Sequence, residues 1–146
     1  TQSTPATYSE DFAIKVVWND SDSSTIIVSV DNASGSELLQ MCREKNIGVV
    51  LGGIFNSGLL ANPEKNKTFD YVDASLEIVS KAQAMSELAQ SHGVSLAHAA
   101  VQFGLRHTGV SSIVIGARTA IEIDQDLSYA SEIIPDVFWD ALQTLR

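Results

Sequence analysis

Apolar residues along this chain follow two rhythms. TIIVSV (25–30), IGVVLGGI (47–54) and SSIVIGA (111–117) are short, almost continuous apolar runs rich in β-branched residues. Such runs suit strands buried on both faces, because a strand with one wet side would alternate polar and apolar positions. FAIKVVW (12–18) predicts a further strand. Between the strands the spacing becomes helical, with apolar residues recurring on one side of each predicted turn. Residues 36–46 carry Leu38, Leu39 and Cys42, and residues 73–92 carry Leu76, Val79, Ala82, Met85 and Ala89. Residues 95–107 carry Leu96, Ala99, Ala100 and Phe103.

Turn and cap chemistry divides these segments. NDSDSS (19–24) reads as a loop, since Asn, Asp and Ser side chains bond nearby backbone and compete with regular structure. Lys45 falls near the end of the first helix, where the helix dipole favours a cation, and Gly93 is placed to end the second. Ser95 caps the third helix. Thr119 and Glu122 form a T-x-x-E capping box, and Pro135 suits the start of a terminal helix. The predicted order is strand, strand, helix, strand, two helices, strand, two helices.

Buried strands separated by helices imply an α/β fold with a parallel sheet, either an open doubly wound sheet or part of a barrel. A complete (β/α) barrel needs on the order of 250 residues, so 146 residues can supply about half of one. Residues 1–23 stand apart. The first eleven are polar, contain Pro5 and show no period, so the division expected is an N-terminal arm or added edge strand over 1–23, followed by residues 24–146.

Composition removes some functions. Nine Lys and Arg among eighteen carboxylates give a formal charge of −9, which cannot make a broad positive surface for nucleic acid. No apolar run reaches the roughly 18 residues of a membrane span, and the opening TQSTPATYSED lacks the features of a secretion signal. The chain therefore reads as soluble, with its compartment undetermined. A single cysteine, Cys42, excludes an internal disulfide and reads as a small buried or half-buried thiol. Asn-x-Ser/Thr triplets begin at Asn19, Asn32 and Asn66, and would matter only in a secreted protein.

Two segments carry candidate chemistry. GGIFNSGLLA (52–61) places glycines, an aromatic residue and a small polar loop after a strand, the arrangement of a ligand face in a parallel sheet. The same glycines would also serve a tight turn. SIVIGARTAIEIDQD (112–126) runs from a strand through Gly116, Ala117 and Arg118 into a capped helix, whose free N–H groups could cradle a phosphate with Arg118 beside them. It is neither a P-loop nor a G-x-G-x-x-G fingerprint, and an ordinary strand-to-helix turn would look alike.

Three ordered blocks, ELLQMCREKNIGVVLGGIFNSGLLA, AQSHGVSLAHAAVQFGL and SSIVIGARTAIEI, resemble aldo-keto reductases, particularly the branch that includes D-threo-aldose and L-galactose dehydrogenases. The resemblance covers residues 36–146. It implies the C-terminal half of a (β/α) barrel, with TIIVSV, IGVVLGGI and SSIVIGA as its sixth, seventh and eighth strands. It further implies a site for NAD or NADP: Phe55 is similar to the aromatic residue that stacks on nicotinamide, and Asn56, Ser57 and Gly58 to the residues near the pyrophosphate. Gly116, Ala117, Arg118, Glu122 and Asp126 would hold the adenosine phosphate end.

Departures qualify this picture. Val114, Ile115 and Gly116 stand where the family often has Ile-Pro-Gly, and Glu122 stands where NADP-preferring members tend to be basic. A carboxylate there would repel a 2′-phosphate, so NAD is favoured; Asp126, where Asn is common, adds further negative charge, and cofactor binding is a feature this chain could have lost. The family's Asp, Tyr, Lys and His tetrad has no recognisable counterpart. His92, His98 and His107 lie on or at the ends of predicted helices and read as surface or capping residues, and Lys15 and Tyr8 match no motif. The functions left open are a coenzyme-binding half of an aldose or aldehyde oxidoreductase completed elsewhere, a non-catalytic subunit that reuses the fold, and a stand-alone nucleotide-binding domain. A half barrel leaves unpaired strand edges, so a protein partner is expected: a second copy, a complementary half-barrel or a larger assembly.

Overall fold

The structure, a computed structural model, describes residues 15–17 and 25–29 as backbone and residues 39–145 in full. The predicted loop at 19–24, the boundary at residue 23, Tyr8, Trp18, Asn19 and Asn32 lie outside the described residues. The chain divides into two compact units, one of Thr1–Ile54 with Gly104–Ile115 and one of Phe55–Phe103 with Gly116–Arg146.

The first unit holds a four-stranded sheet of β1 (Lys15–Val17), β2 (Thr25–Ser29), β3 (Gly48–Leu51) and β6 (Ser112–Ile113), in that order. β1 is antiparallel to β2, with Val16 opposite Val28. β2 and β3 are parallel, with Ile26 opposite Val49, and β3 and β6 are parallel, with Leu51 opposite Ile113. Residues 39–44 are helical (α1) and lead into β3. Leu39, Cys42, Val49 and Leu51 form the core, with Ile47, Ile54, Val110 and Ile113 packed against it. Cys42 is buried and free, as a small apolar side chain at that position should be.

The strands are shorter than the apolar runs, and the reason lies in the partner. β3 stops at Leu51 because the chain turns at Gly53, whose φ of 70° suits glycine. The last bond from the β6 side is therefore Val114 N–H to the Leu51 carbonyl, at 2.8 Å. Beyond it Val114 is exposed despite its apolar character. At the other end the Ser111 N–H donates to the Val49 carbonyl at 2.8 Å, and the Ser111 Oγ accepts from the Val49 N–H at 3.2 Å.

The second unit contains a short 3-10 turn (Asn56–Gly58), a hairpin of β4 (Thr68–Phe69) and β5 (Val72–Asp73), and helices α2 (Leu76–Ser91), α3 (Leu96–Arg106), α4 (Ala120–Ser131) and α5 (Asp136–Gln143). The last three residues of α3 belong to the first unit. Ala89, Val94, Ala99, Ile134, Phe138 and Trp139 form the core, with Leu142 against it. The Phe138 and Trp139 rings meet edge to face at 5.0 Å, and the Trp139 indole N–H donates to the Ile134 carbonyl. α2 is capped by Ser75, whose side chain accepts from the Ile78 N–H, and ends at Gly93 with φ of 71°.

The hairpin was absent from the expected elements. Its turn residues, Asp70 and Tyr71, have φ of 47° and 65°, positions normally signalled by Asn-Gly or Asp-Gly. The helical faces also differ in detail. α3 buries His98, Val101 and Gln102 as well as Leu96 and Ala99, whereas Phe103 is partly exposed, so its covered surface is wider than one apolar stripe.

Gly109 marks the closest packing in the first unit. A Cβ there would lie 2.9 Å from the Leu39 Cβ and 3.0 Å from the Leu39 carbonyl oxygen, neither of which is the flexible end of a side chain. Gly109→Ala is expected to destabilise the chain by about 1–3 kcal/mol, the usual range for overpacking. Urea denaturation would check this; an unchanged midpoint would show that the Leu39 backbone yields freely.

Candidate functional site

β3 and β6 are parallel neighbours, so the segments that follow them leave the sheet at the same edge. In an α/β sheet that carboxyl edge is where ligand-binding loops collect. The nine predicted site residues belong to these two segments, and all fall in the second unit.

The first segment folds on itself. The Phe55 carbonyl accepts from the Gly58 and Leu60 N–H groups at 2.9 and 3.1 Å. Asn56 and Ser57 have φ of 47° and 59°, and Gly58 has φ of 95°. Left-handed conformation in consecutive non-glycine residues is costly, and here a tertiary contact helps to hold it. The Ser57 Oγ accepts from the Tyr71 N–H at 2.9 Å, tying this turn to the hairpin turn, itself left-handed. The Ser57 hydroxyl keeps its proton as a donor. Phe55, Asn56, Ser57 and Gly58 are half-buried.

The second segment is a capped helix start. The Thr119 side chain accepts from the Glu122 N–H at 3.2 Å. The Glu122 carboxylate reaches back and accepts from the Arg118 N–H at 2.6 Å, one residue before the usual capping-box partner. One donor of the expected phosphate cradle is thus engaged by the chain's own carboxylate. Gly116 is exposed, and a Cβ added there would meet nothing within 4 Å. Ala117 is half-buried, and Arg118 is exposed. Asp126 lies one helical turn beyond Glu122. Partial burial, then the Glu122 charge, push its carboxyl above the usual range.

Among the described residues, no hydrogen bond or ion pair joins the 55–58 group to the 116–126 group; each is organised by its own turn. No group of three His, Cys, Asp or Glu side chains suited to a metal ion occurs among the described residues. No helix there is long and apolar enough to cross a membrane. Of the histidines, His92 bonds the Leu88 carbonyl at 2.9 Å at the end of α2, and His107 Nδ1 accepts from the Gly109 N–H at 3.1 Å. Of the surface and capping roles expected of it, His98 takes the second: it is buried and bonded at 2.8 Å to the carbonyl of Glu132, the residue that closes α4. Periodicity could not reveal this, since its partner lies 34 residues away.

Comparison with known proteins agrees with this architecture. The profile of the Aldo/keto reductase family matches residues 10–146. A pyridoxal 4-dehydrogenase of Microbacterium luteolum is 39% identical over 116 residues, covering 79% of this chain and 34% of that protein. A D-threo-aldose 1-dehydrogenase of a Pseudomonas species is 30% identical over 119 residues, covering 80% of this chain and 36% of that protein. The chain thus spans about a third of the length of these curated relatives. A solved glycerol dehydrogenase of Gluconobacter oxydans is similar with a TM-score of 0.63 at 17% identity, over 83% of this chain and 41% of that one. The fold is that of a partial (β/α) barrel, about half of one.

Asp126 supplies a test of the local electrostatics. A carboxyl whose folded pKa is raised keeps its proton more tightly in the folded state, so it lowers stability as pH rises from its ordinary value through the raised one. The penalty is complete above that window and absent below about pH 3.9. Asp126→Asn is therefore expected to stabilise the chain near pH 7 by about 0.2–0.5 kcal/mol, the size of a like-charge pair one turn apart on a helix. The gain should vanish in acid. Thermal melts of both forms from pH 3 to pH 8 would check this, and a gain independent of pH would assign it to another cause.

Proposed function

The chain belongs to the aldo/keto reductase family, and from that premise we propose that it is the coenzyme-binding half of an oxidoreductase barrel related to the aldose and aldehyde dehydrogenases, with NAD as the favoured coenzyme. The observation that carries this reading is the turn at Gly116–Arg118. It has open space beside Gly116 and an exposed Arg118 at the start of a capped helix, so the residues present fit a bound dinucleotide. In this reading Gly116 and Ala117 let the coenzyme approach the backbone, and Arg118 offers its guanidinium to a phosphate. Phe55 would offer a ring face to nicotinamide, and Asn56, Ser57 and Gly58 would hold the pyrophosphate, Ser57 with a hydroxyl proton to donate. Glu122 and Asp126 oppose a 2′-phosphate by charge, which sets the preference for NAD. Bound NAD supplies hydride transfer. The proton-transfer residues come from strands that complete the barrel, and β6, paired only with β3 among the described strands, offers an edge to them.

A second reading has its own observation. Glu122 already occupies the Arg118 N–H and adds negative charge where a phosphate would sit. That arrangement suits a non-catalytic subunit that keeps the fold for assembly with a partner chain.

Titration with NAD and NADP, followed by tryptophan fluorescence or calorimetry, separates the two. Binding of NAD in preference to NADP is expected, and failure of both at millimolar concentration would leave the non-catalytic reading. Gly116→Leu sharpens the test. A Cβ there meets nothing within 4 Å, so the melting temperature should hold while NAD affinity falls at least about tenfold, about 1.4 kcal/mol. Unchanged affinity would place the coenzyme elsewhere.

A further inference from the structure

α4 carries Glu122 and Asp126, yet it has no buried residue of its own. Ile121, Ile123 and Leu127 on it are exposed. An amphipathic helix is normally held by its apolar face, so something else must hold this one. The end of α4 shows what does. Gln102 of α3 donates from Nε2 to the carbonyls of Tyr129 and Ala130 at 2.6 and 3.1 Å. His98, one turn earlier on α3, bonds the Glu132 carbonyl through Nε2 at 2.8 Å, and its ring stacks on Tyr129 with centroids 5.1 Å apart and planes 13° from parallel. A carbonyl can only accept, so Nε2 carries the proton. His98 and Gln102 are both buried.

We propose that His98 and Gln102 are positioning residues: by clamping the last carbonyls of α4 they fix the helix that bears Glu122 and Asp126, and so set the discrimination between NAD and NADP. The functional half of this proposal rests on the coenzyme reading above. The last carbonyls of a helix have no partner within it, and α4 lacks both a glycine cap and a basic residue in its last turn. Side chains from α3 fill that role. Losing them would leave carbonyls unsatisfied and free α4 to shift, which would move the two carboxylates relative to any adenosine ribose.

The test compares the full chain with Gln102→Leu, His98→Ala, His98→Gln and a control, Val79→Ala, which opens the buried face of α2. Amide hydrogen exchange reads the clamp without any coenzyme. Exchange across residues 120–131 should rise at least tenfold in Gln102→Leu and His98→Ala, and His98→Gln, whose amide can still donate, should restore it. Val79→Ala should lower the melting temperature without this selective rise. The ratio of NADP to NAD dissociation constants should fall several-fold in the two clamp variants and stay unchanged in the control. Unaltered exchange in α4 would overturn the clamp. Raised exchange with an unaltered ratio would overturn the positioning role. A parent chain that binds neither coenzyme would overturn the coenzyme reading and the functional half with it, and exchange alone would then decide the clamp. If a clamp variant fails to fold, His98→Gln against the parent keeps both readouts: its α4 exchange and its ratio must match the parent's, and a departure in either overturns the proposal.

Discussion

The pairing of β3 with β6 is the constraint from which the rest of the arrangement follows. About sixty residues separate the two strands, and closing so long a loop costs chain entropy before any contact offsets it. The join is short. Val50 and Leu51 stand opposite Ser112 and Ile113, and bonds from Ser111 and Val114 extend it at either end. Its stability comes from the apolar side chains it brings together, Val49 and Leu51 against Leu39, Cys42 and Ile113. Because the pairing is parallel, the 52–61 and 114–119 segments leave the sheet at one edge. An antiparallel pairing would send them to opposite edges.

The second unit solves a different problem. The exposed parts of its candidate site segments are polar and small, so beyond the buried Leu59 burial does little to hold them. Each is held by hydrogen bonds. The left-handed turn at Asn56 and Ser57 is tied to the left-handed turn at Asp70 and Tyr71 through the Ser57 hydroxyl. The start of α4 is closed by Thr119 and Glu122, and its end by Gln102 and His98. Polar clamping of this kind is directional, and suits segments whose exposed groups must keep a fixed pose. Glu122 works in the same way: its carboxylate caps the helix entry by accepting from the Arg118 N–H.

The chain belongs to the aldo/keto reductase family and covers only about a third of the length of the curated relatives. Among the described strands, β6 is paired only with β3 and so presents an edge. The exposed Ile121, Leu127, Ile133 and Val137 show how much apolar surface the described residues leave uncovered. An edge and apolar surface of this kind are the physical grounds for a partner in the proposed function.

The sequence by itself determined most of the elements and their types, the β4–β5 hairpin apart. Continuous β-branched runs marked the strands at Thr25–Ser29 and Gly48–Leu51, helical spacing marked α2 and α3, and local cap chemistry located the boundaries at Gly93, Ser95, Thr119 and Pro135 to within a few residues. These signals are legible because they act between residues close in the chain. The candidate site residues were legible only as two separate turns and through resemblance. Only the tertiary structure decided the rest: the parallel pairing that ends β6 early at Ile113, the hairpin closed by Asp70 and Tyr71 without a glycine, and the burial of His98 and Gln102 against carbonyls some thirty residues away. Each depends on a partner remote in sequence, and hydrophobic periodicity carries no information about which distant group will satisfy a buried donor.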